Sequence, residues 1–453
     1  MIKLSLPRTG FPSGSLGRSH RLSLALRLLL LLLLLYAALY FFELGYFKAR
    51  ILPGIYLKDL HLGGLALPDL PRAARALSFT FIAPGGEALS LSLQELGIQL
   101  DYEAIYREAR RRQNHLYRPW TWAGQKYCVP LRYRLDEQKL HQRLKALAEE
   151  AGCEPVDAFF RVSDDYRSVE VVPEKSGYRI KAEALPALIR ERLDRAGASL
   201  TIPLPAEPVP ARVAAESLEK KGVCALMSSF TTAFNPAQED RAHNIKLAAG
   251  FLDGYLLAPG ERFSLNDFLG ESTPEKGYRK APVISGLDFV AGYGGGLCQI
   301  SSTLYNAVLL ADLEVCQRHN HNLAVPYIAP GRDATISYGV HDFVFRNNKE
   351  HHILISAAVE ENRLTFRLYG LPPEVEVKIW THILEATPPP VLYLYAPDLA
   401  PGKEEIVKGS FGYRVETWKY VHKGNRLLSR ERISLDYYAP YPTKIRRGPP
   451  RAH

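Results

Sequence analysis

Residues 291–322 read AGYGGGLCQISSTLYNAVLLADLEVCQRHNHN. Three consecutive glycines, Gly294, Gly295 and Gly296, open the backbone to conformations closed to other residues, and Cys298 follows two positions later. Behind it Ile300, Leu304, Ala307, Val308 and Ala311 recur at helical spacing. The pattern predicts a glycine loop entering a helix, with a thiol at or near the first turn. Ser301, Ser302 and Thr303 read as outward-facing or capping positions on that helix. A helix N-terminus presents unpaired N–H groups and a positive dipole end. Both stabilise a thiolate and can bring a cysteine pKa from ~8.5 toward or below neutrality. The N–H groups of Gly294, Gly295 and Gly296 are also candidates to line an oxyanion hole.

A cysteine nucleophile needs a base. Arg318-His319-Asn320-His321-Asn322 offers two imidazoles, His321 or His319, each able to take the thiol proton and later deprotonate an incoming amine. Asp333, in Pro330-Gly331-Arg332-Asp333, is the nearest carboxylate able to orient an imidazole, and Asp342 is the next. The glycine run is not a phosphate loop, since no Gly-Lys-Ser/Thr follows it. Cys316, at the end of the apolar helix, reads as a packed thiol. His319, His321, His341, His351 and His352 lack Cys-x-x-Cys or His-Glu-x-x-His spacing, so neither a metal site nor a cofactor is expected. The five cysteines, an odd number, do not make a disulfide framework.

Outward from this stretch, 453 residues are enough for two to four domains at roughly 100–200 residues each. The net charge of +9 would raise nucleic acid as a partner, but its location removes that reading. Lys3, Arg8, Arg18, Arg21 and Arg27 precede any acidic residue, and the remaining chain holds 52 basic against 48 acidic residues. The basic stretch leads into an apolar run, residues 22–42, interrupted only by Arg27, which can snorkel. About 20 apolar residues span a bilayer core. Tyr36, Tyr40, Phe41 and Phe42 supply an interfacial belt, and the positives hold the other end in the cytoplasm. The run is long for a cleaved signal and no small-x-small site follows it, which favours a retained signal-anchor. Residues 1–21 are then a cytoplasmic tail and 22–42 a single-pass anchor in the cytoplasmic membrane, with everything beyond expected outside the cytoplasm.

Residues 50–210 contain a weak internal repeat. Gly97–Ile105 (GIQLDYEAI) recurs as Gly177–Leu185 (GYRIKAEAL), each reading as strand, turn and helix start. Two such units make a duplicated α+β module. Pro203, Pro205, Pro208 and Pro210 read as a stiff linker. A second α+β domain spans 212–370, with a helix expected over Arg241–Leu256. Residues 371–453 read as a small β module and tail, with a hairpin around Lys423-Gly424-Asn425.

The run NIKLAAGFLDGYLLAPGERFSLNDFLG, then GYRKAPVISG, GGGLCQISSTLYNAVLLADLEVCQRHNHN, PGRDATISYG and DFVFRNN, resembles the VanW family over about Val223–Tyr369. The segment SVEVVPEKSGYRIKAEALPALI resembles the peptidoglycan-binding domain found upstream of catalytic domains in Gram-positive envelope proteins. The first resemblance implies an L,D-transpeptidase that forms 3-3 peptidoglycan cross-links, with Cys298 as the matching cysteine. The family's histidine motif usually reads Arg-His-Pro-His-Ser; here both histidines are kept, while Asn320 and Asn322 replace the proline and serine. The expected partners are peptidoglycan stem peptides and glycan. Arg262, Tyr293 and Arg332 are the candidate substrate contacts. Water in place of the acceptor amine makes the same site an L,D-carboxypeptidase. The rival reading is a non-catalytic wall-binding protein.

Overall fold

The structure is a computed structural model that describes residues 18–116, 126–285 and 288–449. Of the expected basic tail, residues 1–17 lie outside the described residues. The leucine-rich run folds as a helix, Arg18–Tyr46. The span Ala25–Ala49, which takes in most of this helix and the 3₁₀ turn Phe47–Ala49 after it, has a mean hydropathy of 2.3 and is long and apolar enough to cross a membrane. Leu28 to Leu35 are all more than half exposed, as an apolar helix with no protein surface to pack on must be.

The rest of the chain forms two compact units. The first comprises residues up to Pro155 together with Ser176–Pro210. In it, Ser78–Ile82 pairs antiparallel with Ala88–Ser92 and parallel with Thr201–Pro203, burying Phe79 and Phe81 completely on one face. Helix Glu137–Ala151 buries Leu140, Leu144 and Leu147, spaced to fall on one side. Asp136 caps its start by accepting from the Lys139 N–H at 3.0 Å. Strand Ile98–Leu100 leads into helix Tyr102–Leu116, and strand Gly177–Ile180 leads through a short 3₁₀ turn into helix Leu185–Asp194.

The proline-rich stretch is not a free linker. Thr201–Pro203 and Ala206–Val209 are strands, and Ile202 and Leu204 are buried. Pro203 and Pro208 sit in these strands at sheet edges, where a missing N–H breaks no ladder bond, and Pro205 and Pro210 flank them.

The second unit comprises Val156–Lys175 and everything from Ala211 onward. The segment 156–175, read from sequence as part of the first domain, contributes its hairpin Phe159–Val162/Val169–Val172 here. Val169 packs with Val223, Leu354 and Tyr369. A four-stranded antiparallel sheet runs Ala225–Ala233, Arg363–Gly370, Ile353–Glu360, Tyr255–Leu257 in order. Helices Glu239–Leu252 and Leu297–Leu310 pack on it through Ile245, Leu252, Ile300, Leu304 and Val308. The first of these helices stops four residues before the expected Leu256, because Gly254 takes φ 83° and the chain turns into the strand at Tyr255.

Beyond Gly370 the chain is all β. Glu376–Thr387, Gly412–Lys423 and Arg426–Tyr438 form one antiparallel sheet, turning at Gly424 with φ 56°. Val391–Tyr395, Thr443–Arg447 and Glu404–Val407 form another. The fold is therefore mixed α+β, with an apolar N-terminal helix and C-terminal β sheets.

Candidate active site

Helix Leu297–Leu310 is buried along nearly its whole length. Its N-cap, Gly296, has φ 111°, and a Cβ there would stand 2.9 Å from Ile245 Cγ1. At Gly295 a Cβ would meet Pro282 O at 2.8 Å. The buried side chain of Asn244 ties the loop down, donating to Gly295 O at 3.1 Å and Arg279 O at 2.9 Å. The N–H groups of Gly296 and Cys298 have no partner among the described residues.

Ser301, Ser302 and Thr303 are fully buried, not outward-facing. Two of the hydroxyls find partners inside the fold. Thr303 Oγ1 donates to Gln299 O at 2.6 Å, the i−4 carbonyl. Ser302 Oγ donates to Cys298 O at 2.7 Å and accepts from Ala334 N at 3.0 Å, fastening the cysteine's turn to the chain beside Asp333.

Cys298 is half-buried at the start of the helix, its sulfur 3.4 Å from Thr335 Oγ1 and 3.5 Å from Ile336 O. His321 stands beside it, close enough for thiol and imidazole to interact. His321 is 4% exposed, and its Nδ1 lies 2.6 Å from Asp333 Oδ2, so the thiol contact falls to Nε2. Asp333 Oδ2 also accepts the His321 backbone N–H at 2.7 Å. Asp333 Oδ1 accepts from Tyr438 Oη and from Arg318 Nη2 at 3.2 Å. Arg318 spans to Asp436 Oδ1 at 2.6 Å and lies over the Tyr305 ring. Tyr438 Oη accepts from Gly331 N at 2.7 Å, and Thr417 Oγ1 donates to Gly331 O at 3.0 Å. The C-terminal sheet thus supplies three side chains that brace the loop carrying Asp333.

The electrostatics follow from this chain of contacts. Burial pushes the Cys298 thiol up, but the bond to His321 and its charge, with help from Thr335 and the Ile336 backbone, bring it below its ordinary value. Burial pulls His321 down, yet the bonds to Asp333 and Cys298 raise its pKa to about 9. For Asp333, burial is outweighed by His321, Arg318 and Tyr438, and the carboxylate stays ionised well into acid. These directions together favour transfer of the thiol proton to the imidazole, a thiolate–imidazolium pair.

The remaining residues singled out from sequence fall differently. His319 does not join the pair. Its Nε2 is 3.2 Å from Gln317 Nε2 and its ring packs against His341 at 4.6 Å. Arg332 turns inward, with Nε on Asn306 Oδ1 and its guanidinium over Phe230, so it is a packing residue and not a rim contact. Arg262 lies exposed on Arg262–Ser264 and does not line the cleft. Asp342 caps a turn, accepting from Ser264 Oγ at 2.6 Å and Asn266 N at 3.0 Å. Cys316 is exposed on strand Glu314–Gln317, because the helix ends at Leu310 and the chain has already turned.

The pair opens on a cleft of about 1140 Å³. Gly294, Gly296, Cys298 and His321 line it, and the exposed ring of Tyr293 stands at its rim. Arg241, Gln299, Tyr327 and Thr335 also line it, and sequence reading passed over all four. Arg318 lay inside the quoted histidine motif. Tyr438 stands 105 residues from Asp333, with no local signal to connect them.

Comparison with known proteins matches residues 240–369 to the family described as "VanW like protein" and residues 89–199 to "Putative peptidoglycan binding domain". The chain belongs to the VanW-like family. Among its relatives is the uncharacterized protein YoaR of Bacillus subtilis (strain 168), 36% identical over 236 residues, 52% of this chain and 76% of YoaR. Another is the vancomycin B-type resistance protein VanW of Enterococcus faecalis (strain ATCC 700802 / V583), 29% identical over 32% of this chain and only 55% of that protein's length. A solved IgA1 protease G5 domain is 23% identical over 17% of this chain and 94% of its own, at a TM-score of 0.13, too low to carry an argument. The apolar N-terminal helix and the peptidoglycan-binding match point to an extracytoplasmic, cell-wall-related role.

Proposed function

We propose that this chain is a cysteine-dependent peptidoglycan L,D-transpeptidase held at the cytoplasmic membrane by its N-terminal helix. Residues 50–155 and 176–210 are its peptidoglycan-binding domain, 212–370 with the hairpin of 156–175 its catalytic domain and 371–453 a bracing β module. The observation that carries this reading is the buried Asp333–His321–Cys298 chain, which ends at a thiol facing a large cleft. Buried ionisable groups cost stability unless paired, and this series leaves only the sulfur end to react.

In the acylation step the Cys298 thiolate attacks the carbonyl carbon of the third, diamino residue of a donor tetrapeptide. The N–H groups of Gly296 and Cys298, without partners among the described residues, are the candidate oxyanion donors. The amide C–N bond breaks, and the His321 imidazolium gives its proton to the departing D-Ala amine. A thioester and a neutral His321 remain. The side-chain amine of a second stem then attacks the thioester carbonyl and loses its proton to His321. The new amide forms and the thiolate leaves, restoring the starting pair. Asp333 holds Nδ1 and stabilises the imidazolium without changing its own protonation state.

The test is the full-length chain in detergent with a disaccharide-tetrapeptide, following free D-Ala and cross-linked dimer. Turnover that disappears in Cys298→Ala is expected. Substrate binding without D-Ala release by the unaltered chain would overturn the enzymatic reading and leave a wall-binding protein.

A further inference from the structure

Arg241 on helix Glu239–Leu252 lines the cleft with Cys298, yet the mechanism above does not use it. A guanidinium carries five N–H donors in a planar fork and cannot shed its charge. Among the described residues, this one meets no carboxylate. Its polar partner is Gln299 Oε1 at 2.8 Å, and the Tyr327 ring lies 5.8 Å from Arg241 Cζ. The Gln299 amide is oriented for this contact by its other end, which donates to Thr232 Oγ1 at 2.9 Å and Ala233 O at 3.0 Å. Gly296 leaves room for the side chain, since a Cβ there would come within 3.3 Å of Arg241 Cγ.

Part-burial without an acidic partner costs a cation its hydration. Desolvation accordingly weakens the hold of Arg241 on its proton relative to a free guanidinium, though it remains charged. The Cys298 thiol is brought down chiefly by His321, with Thr335 and the Ile336 backbone, so the thiolate is only a secondary partner for Arg241. Beside it, the Tyr327 hydroxyl is buried with no hydrogen-bond partner among the described residues. A guanidinium fork with no carboxylate partner and an unsatisfied hydroxyl beside it in one cleft are a donor set waiting for an anionic oxygen pair.

We infer that Arg241, with Tyr327 beside it, forms a carboxylate subsite that holds the C-terminal carboxylate of the donor stem peptide. This rests on the reading of the cleft as a stem-peptide site. The carboxylate of the terminal D-Ala lies only three bonds from the carbonyl that the thiolate attacks, and Arg241 is near enough to Cys298 for their charges to interact. Holding that carboxylate sets the scissile carbonyl over the sulfur and restricts the donor to peptides ending at the fourth residue. A longer stem puts a neutral amide where the fork expects a charge.

The test separates this inference from the reading beneath it. Full-length Cys298→Ala protein in detergent, unable to turn over, is titrated calorimetrically with a disaccharide-tetrapeptide ending in D-Ala carboxylate. It is then titrated with the same compound ending in carboxamide. The carboxylate form is expected to bind about tenfold tighter or more. Adding Arg241→Gln should weaken only the carboxylate form and abolish the preference, while Arg241→Lys should keep part of it. Equal binding of both ligands by the Arg241 protein, or a preference that survives Arg241→Gln, overturns the inference and leaves the stem-peptide cleft standing. The ligand comparison does not depend on how the variants fold. Binding of neither ligand removes the stem-peptide reading and the inference together.

Discussion

The interiors of the two compact units are built on different terms. The first is apolar almost throughout, and Lys58 is its one buried polar or charged side chain among the described residues. That lysine acts as a structural plug. Its Nζ donates to Leu193 O at 3.1 Å, Arg195 O at 2.6 Å and Arg192 O, satisfying carbonyls at the end of helix Leu185–Asp194. The second unit buries Asn244, Gln299, Ser301, Ser302, Thr303, Asn306, His321 and Asp333 around one helix. Buried polar groups gain little net stability over well-packed apolar ones. The first unit therefore reads as a domain selected for folding, and the second as one that accepts a polar core to hold a reactive group in place.

The largest effects should confirm that division. Cys298→Ala and His321→Ala should each take D-Ala release to background with substrate binding retained. Asp333→Asn should cost roughly 10²–10⁴-fold in turnover by analogy with other triads, since it loses the charge that stabilises the imidazolium. If Asp333→Asn were as active as the unaltered chain, the buried polar chain would be packing only. Within the same unit, His319→Ala should change turnover by less than about twofold, and a large loss would mean that the two histidines have been assigned the wrong way round.

Much of the site is legible in the sequence itself. The glycine run, the thiol and the apolar spacing behind it specify a loop-to-helix entry, because glycine punctuation and helical periodicity act locally. What the sequence hides is what depends on distant partners. Ser301, Ser302 and Thr303 look like surface positions until the carbonyls and strands that surround them are in place. Prolines between 203 and 210 look like a linker until the strands they edge are seen. The choice of His321 over His319 rests on which of two near-neighbours faces Asp333. The bracing by Thr417, Asp436 and Tyr438 arises from a β module far along the chain.

That bracing gives an intermediate prediction. Tyr438→Phe removes one donor from Asp333 and the acceptor of Gly331 N, and should cost about 1–3 kcal/mol of stability. It should also lower turnover without changing the affinity for a bound tetrapeptide. The pH profile sharpens the point. Activity should fall in acid as the thiolate is protonated, at a pH below the ordinary cysteine value. It should fall again in alkali through about 9 as the His321 imidazolium deprotonates, the two limbs belonging to the coupled pair. Asp333→Asn should draw the alkaline limb downward, since Asp333 helps hold that proton. The smallest effect on chemistry belongs to the first unit. Lys58→Met should lower thermal stability by about 1–3 kcal/mol through its orphaned carbonyls and leave turnover unaltered. A turnover defect there would erase the contrast between the two interiors.

The most direct measurement is the intact mass of the full-length chain quenched in acid during reaction with a disaccharide-tetrapeptide. The expected result is an added mass equal to the donor less D-Ala, mapped to Cys298, released by hydroxylamine and absent from Cys298→Ala. A chain that turns over substrate without that adduct under rapid quenching, or that carries it on another residue, would contradict Cys298 as the nucleophile.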